Sequence, residues 1–257
     1  MKFLCIQLAV VVTQLVSVAS LALAPRSDGK RGVALVSSGD VPILANSQCS
    51  WVYNWGETAP PGVPTNVQFI PMQWGSGGIE TFASTILSSA TPARTIFGFN
   101  EPDMAGQSNL APPVAAMLWQ TYMQPLKNHG IALGAPAVSS SPSGLTWLNS
   151  FMQACVGCTF DFIPLHWYGE GADNFMAYCQ QAHSDYPNTP IWVTEFADTS
   201  SNPADVQTFL DTVLPWLDSQ PWIGGYSWFA LARSVSPLQT NLLDGSGNVN
   251  ALGASYL

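Results

Sequence analysis

The sequence predicts one α/β domain closed into a single compact (β/α)8 barrel with short βα loops, and three observations predict it. Short apolar runs rich in β-branched and aromatic residues recur eight times along the chain, the pattern of buried strands. Helix-like segments fill several gaps between them, which implies parallel pairing through crossover connections. No glycine-rich dinucleotide fingerprint follows the first run, which argues against the competing open, doubly wound sheet. A length of 257 residues suits one such domain.

Taken in order, the strand-like runs cover residues 32–36, 50–55, 67–74, 95–101, 131–137, 160–168, 191–197 and 224–229. The helix-like segments cover residues 78–89, 113–129, 144–154, 174–186 and 203–219. Pro112-Pro113 and Asn202-Pro203 are helix starts and Gly130 a helix stop. The serine-rich stretch 139–143 reads as a polar loop after the fifth strand, and the tail from Leu238 onward as a wrap around the eighth unit. No internal repeat or linker divides the chain, so residues 30–257 form one domain behind a flexible lead-in.

The first residues read as a secretory leader. Lys2 precedes a mostly apolar stretch to Val18, and small residues Ala19, Ser20, Ala22 and Ala24 follow. The leader is assigned to residues 1–22 with cleavage between 19 and 24; cutting after Ala24 is disfavoured because Pro25 would come first. A retained anchor is the alternative, but the run is short for a membrane span. Losing the leader removes Cys5 and leaves Cys49, Cys155, Cys158 and Cys179. An even set in an oxidising compartment favours two disulfides over a redox or metal motif, Cys155–Cys158 being one candidate pair.

The formal charge is −9, and past Arg31 the basic side chains are Arg94, Lys127 and Arg233 alone. Nucleic acid and anionic membranes are poor partners for such a surface. Ten tryptophans and seven tyrosines in a charge-poor chain suit a neutral ligand with apolar faces and hydroxyls, as sugars have.

Two glutamates end apolar strands: Glu101, in Gly98-Phe99-Asn100-Glu101-Pro102-Asp103, and Glu195, in Trp192-Val193-Thr194-Glu195-Phe196. On strands four and seven both would face the C-terminal rim, where barrels hold their chemistry. Paired carboxylates cleave glycosidic bonds, one delivering a proton and the other attacking or activating water. Taken singly, Glu101 could lie in an ordinary turn and Glu195 in an ion pair, although cations are scarce. Asn54 and Trp55, Trp74, His166-Trp167-Tyr168 and Trp228 also end strands at that rim, as hydrogen-bonding groups and stacking platforms for a sugar. No metal or organic cofactor is called for.

These segments, with Lys30-Arg31-Gly32, Trp51-Val52-Tyr53-Asn54-Trp55, Phe69-Ile70-Pro71-Met72 and Leu165-His166-Trp167-Tyr168, occur in order across the chain and resemble fungal glycoside hydrolase family 128. The resemblance implies a clan A (β/α)8 barrel that cleaves β-1,3-glucan with retention and mostly in endo mode; a monomer is expected as the default for a secreted hydrolase. It implies Glu101 as acid/base, Glu195 as nucleophile, Asn100 as the partner of the sugar 2-hydroxyl and Trp228 as the platform beneath that sugar. A binding protein on the same barrel is the alternative from another class. A hydrolase of β-1,4-glucan or mannan is the alternative among enzymes. Secretion places the protein outside the cell or in the cell wall.

Overall fold

The computed structural model describes residues 29–257; the leader reading and Cys5 fall outside them. Eight strands run β1 Arg31–Leu35, β2 Trp51–Tyr53, β3 Gln68–Phe69, β4 Thr95–Ile96, β5 Ala132–Leu133, β6 Ile163–Gly169, β7 Ile191–Asp198 and β8 Ile223–Leu231. Each falls on one of the eight apolar runs. Six pair in parallel in the order β3-β2-β1-β8-β7-β6, and β4 pairs with β5. Single parallel bridges complete the ring, Met72 with Phe97 between β3 and β4, and Gly134 with Phe162 between β5 and β6. The chain is therefore a closed (β/α)8 barrel, its cylinder regular on one side and held by short ladders on the other.

Helices α1 Ile79–Leu87, α2 Pro112–Leu118, α3 Gly144–Ala154, α4 Ala172–Asp185, α5 Pro203–Ser219 and α6 Ala251–Tyr256 cover the outside. In α5 the Asn202 side chain accepts from the Ala204 N–H, the usual service of an N-cap. Val206, Phe209, Leu210, Val213, Leu214 and Leu217 then bury one face, at helical spacing. The segment expected to be one helix over 113–129 changes pitch instead. It widens to a π turn at Trp119–Met123 and tightens to 3-10 over Gln124–His129. Pro125 lacks the N–H that a regular helix needs there, and Gly130, at φ 72°, ends it. The short 3-10 helix Ser38–Asn46, interrupted by Pro42, has no counterpart in the sequence reading.

An aromatic plug of Trp51, Tyr53, Phe97, Phe162 and Trp192 fills the barrel. The glycine at Gly224 admits it, since a Cβ there would lie 2.3 Å from the Trp192 ring nitrogen. Because the plug occupies the lower barrel, the open space lies above it, at the C-terminal ends of the strands. Cys155 and Cys158 form a disulfide, whereas Cys49 and Cys179 are free and buried. This corrects the expectation of two bridges: each free thiol is enclosed in the apolar core.

Candidate active site

Strand alternation decides which side chains reach the cavity. On β6, His166 and Tyr168 turn inward while Trp167 stacks on Phe209 outside. On β8, Phe229 turns inward, and Trp228 packs on Phe196 and Phe209 with its indole N–H donated to the Thr240 carbonyl at 2.8 Å. At the end of β2 and just beyond it, Tyr53 and Trp55 turn inward, and the Asn54 side chain accepts from Gly56 N–H at 3.1 Å. Trp228, Trp167 and Asn54 therefore do not line the cleft. Period-two geometry sends every second residue to the other face of the sheet, and Phe229 stands where Trp228 was expected.

The cavity holds about 730 Å³, and Trp55, Trp74, Asn100, Glu101, Tyr168, Glu195 and Phe229 line it. Met104, Gln107, Ser139, Ser140, Ser141 and Leu238 line it too; none of these six is a site candidate in the sequence reading. Polarity alone marks the serine run as a loop; only the β5 rim position brings it to the cleft.

Glu101 and Glu195 converge at the cavity floor, 9 % and 5 % exposed. Glu101 follows β4 in left-handed backbone, φ 40°, a conformation of order 1–3 kcal/mol above ordinary ones for a residue with a side chain. Its N–H donates to Ala137 O at 2.7 Å, so the segment that follows β5 holds it there. Glu195 Oε1 accepts from Trp55 Nε1 at 2.7 Å and Tyr53 Oη at 3.0 Å, and Oε2 accepts from Tyr168 Oη at 2.5 Å. His166, fully buried, lies between the two carboxylates. Its Nδ1 is 2.9 Å from Glu101 Oε1. Its Nε2 is 3.5 Å from Glu195 Oε1, near enough for attraction but misaligned for a hydrogen bond.

Burial pulls the His166 imidazole down, but Glu195, Glu101 and Asp103 together outweigh it and hold it above its ordinary value. Burial, then the Glu195 carboxylate, pushes the Tyr53 and Tyr168 phenols well above theirs; both remain donors. Asn100 gives its amide N–H to Gln107 Oε1 at 3.2 Å and keeps a buried, unpartnered Oδ1.

One ligand atom each from Glu101, His166 and Glu195 lies within 4.8 Å of the others. The set could approach a cation, but Glu101 and His166 already bond each other and Glu195 accepts three donors. The arrangement suits proton transfer to, and attack on, a bound acetal by two carboxyl groups that converge on one cavity floor.

A family model described as the catalytic core of glycosyl hydrolases matches residues 32–256. Alkali-sensitive linkage protein 1 of Schizosaccharomyces pombe is 34 % identical over an alignment of 244 positions that covers 89 % of this chain and 44 % of that protein. The chain thus spans less than half the length of that curated relative. A curdlan-specific exo-β-1,3-glucanase of family 128 from Blastomyces gilchristii, solved with glucose, superposes with a TM-score of 0.77 at 32 % identity. That match covers 89 % of this chain and 97 % of the other. A mutant family 128 endo-β-1,3-glucanase from Amycolatopsis mediterranei, solved with laminaripentaose, gives 0.76 at 32 % identity over 88 % and 98 % of the two chains.

Proposed function

The chain belongs to the glycosyl hydrolase catalytic core family, and from that footing we propose that it is a retaining β-1,3-glucan hydrolase that cuts within the chain. One observation carries the reading: two buried carboxylates from different strands, with an oxygen of each within 4.8 Å, at the floor of an aromatic-walled cleft. That proximity supports the close spacing, about 5–5.5 Å between carboxyl groups, that retaining enzymes use.

In this mechanism Glu101 gives its proton to the departing glycosidic oxygen while Glu195 attacks the anomeric carbon and forms a glycosyl ester. Glu101 then takes a proton from water, which releases the sugar with its configuration kept. Tyr53, Trp55 and Tyr168 hold the nucleophile in line. Asn100, which lines the cleft beside Glu101, meets the 2-hydroxyl, a contact that strengthens in the transition state and contributes several kcal/mol in this chemistry. Trp55, Trp74 and Phe229 supply apolar faces for pyranose rings. The relatives named above include exo- and endo-acting enzymes; the endo assignment is supported by a cavity of about 730 Å³, room for several sugars, lined by Trp74, both glutamates and Leu238. We further propose that the protein is secreted, acts as a monomer outside the cell or in the wall, and has residues 30–257 as its catalytic domain. The leader-like residues and the Cys155–Cys158 bridge support secretion.

Product analysis on linear β-1,3-glucan, beside cellulose and mannan, tests the reading. Ladders of short laminari-oligosaccharides with β configuration at first release are expected. Glucose alone would correct the mode, turnover of cellulose or mannan only would correct the substrate, and tight binding without turnover would overturn the enzyme.

A further inference from the structure

Asp103 lies two residues after the acid, touches neither carboxylate of the pair, and has no part in the proton transfers above. Its own carboxylate is nevertheless committed to another loop. Asp103 Oδ1 accepts from Ser139 N–H at 3.1 Å. Oδ2 accepts from the hydroxyls of Ser139 at 2.5 Å, Ser141 at 3.2 Å and Ser143 at 3.4 Å. All three serines belong to the polar stretch that follows β5.

That stretch is itself fixed. The Ser139 carbonyl accepts from Tyr178 Oη of α4 at 3.2 Å, and the Ser140 hydroxyl accepts from Tyr168 N–H at 3.3 Å. A side chain at Gly144 would put its Cβ 1.9 Å from the Ser139 oxygen, so the loop packs directly on the start of α3. On the other side, Met104 N–H closes a turn on the Glu101 carbonyl at 3.0 Å. The turn containing Asp103 is thus tied at one end to the acid and at the other to a rigid rim. Glu101 sits in left-handed backbone, φ 40°, and such conformations persist only where the surroundings over-determine them.

We propose that Asp103 is a positioning residue for Glu101: by clamping the β4 turn to the serine loop after β5, it holds the acid at the angle from which it protonates the leaving oxygen. The inference rests on the proposed hydrolase reading. It also gives the serine run a task that simple solvation of a loop would not require. A positioning role predicts that damage at Asp103 falls on the step that needs the acid and spares the step that does not.

The test compares kcat/KM, which reports the glycosylation step, on laminarihexaose and on dinitrophenyl β-laminaribioside, whose leaving group departs without a proton. Asp103→Ala should lose roughly 100-fold on laminarihexaose, the scale of loss for a misplaced catalytic group. On the activated substrate it should lose less than about 3-fold, because the acid is not engaged there. Asp103→Asn keeps an acceptor for Ser139 N–H and offers its amide to the serine hydroxyls, so it should regain at least about 10-fold on laminarihexaose. Should the alanine variant not fold, Ser143→Ala, which lies outside the cleft lining, carries the same comparison, with a loss of about 5-fold confined to laminarihexaose.

Equal losses on both substrates, or no recovery in Asp103→Asn, would overturn the positioning role. The hydrolase reading fails separately: in that case the unsubstituted protein cleaves neither substrate.

Discussion

Removing one hydroxyl from Tyr168 tests how the nucleophile is held. Tyr168 donates to Glu195 Oε2, while Tyr53 and Trp55 both donate to Oε1. In Tyr168→Phe the ring keeps its edge contact with Phe229, 5.4 Å between centroids, so packing is preserved and one oxygen loses its donor. A hydrogen bond to a charged group is worth about 1.5–3 kcal/mol. At about 1.4 kcal/mol per decade, a bond needed throughout the attack would cost roughly 10- to 150-fold in the glycosylation rate. The phenol stays protonated because burial and then Glu195 push it well above its ordinary value, so the loss should be the same at mildly acidic and mildly alkaline pH. The assay is kcat/KM on dinitrophenyl β-laminaribioside, where glycosylation can be followed without the acid. A loss below about 3-fold with an unchanged melting temperature, or one that appears only in KM, would show that Tyr53 and Trp55 suffice and that the Tyr168 bond is incidental.

Further outcomes follow from the same geometry. Glu195→Ala should fold yet lose nearly all hydrolysis, and added azide should restore turnover as a glycosyl azide of inverted configuration, seen by NMR; undiminished hydrolysis without azide would remove Glu195 from its role. Trp228→Ala should cost about 3–5 kcal/mol in urea unfolding, as expected for a buried aromatic, and leave KM for the folded fraction unchanged; a raised KM would return Trp228 to the cleft. His166 is held above its ordinary value, so its stabilising contribution is complete below the unfolded-state value of about 6.5 and is lost as pH rises through the higher native value. Urea midpoints of the protein and of His166→Asn should therefore converge as pH rises above that point, and a widening gap would contradict the placement. Burial raises the Cys49 thiol to about 11 and lifts Cys179 as well, so peptide mapping should find iodoacetamide on neither until denaturant is added; labelling of the native protein would refute their enclosure.

Much of the barrel was legible because strands buried on both faces need continuous apolar runs, and eight such runs stand in the chain. The two glutamates were legible for the same reason, since a carboxylate ending such a run has nowhere to go but the rim. The inward face was not. In Trp167-Tyr168 and in Trp228-Phe229, adjacent aromatics compete for one inward slot, and hydrophobicity does not distinguish them. The neighbour settles it: Trp228 fills the space over Phe209 of α5, and Trp167 stacks on the same ring. The Asp103–serine clamp was hidden differently. Its bonds span 36 to 40 residues, and no local pattern announces a partner at that distance. The expected second disulfide failed on geometry too, because parity counts cysteines but not the packing around them.

The scarcity of basic residues, read from the sequence as a statement about partners, explains how the nucleophile is kept reactive. Lys127 is spent on Asp161 at 2.8 Å and Arg233 on Asp40 at 2.7 Å. Glu195 is instead gripped by an indole and two phenols, donors that fix both oxygens without bringing a formal charge. A guanidinium in their place would hold the carboxylate equally well but compete with the anomeric carbon for its electrons throughout the attack. Neutral donors leave the carboxylate free to give its electron pair to the anomeric carbon as the ester forms, and His166, which could carry a positive charge here, hydrogen-bonds the acid and reaches Glu195 only by attraction at 3.5 Å. The charge-poor aromatic composition that suits a sugar surface thus also supplies the grip that leaves the attacking oxygen free to react.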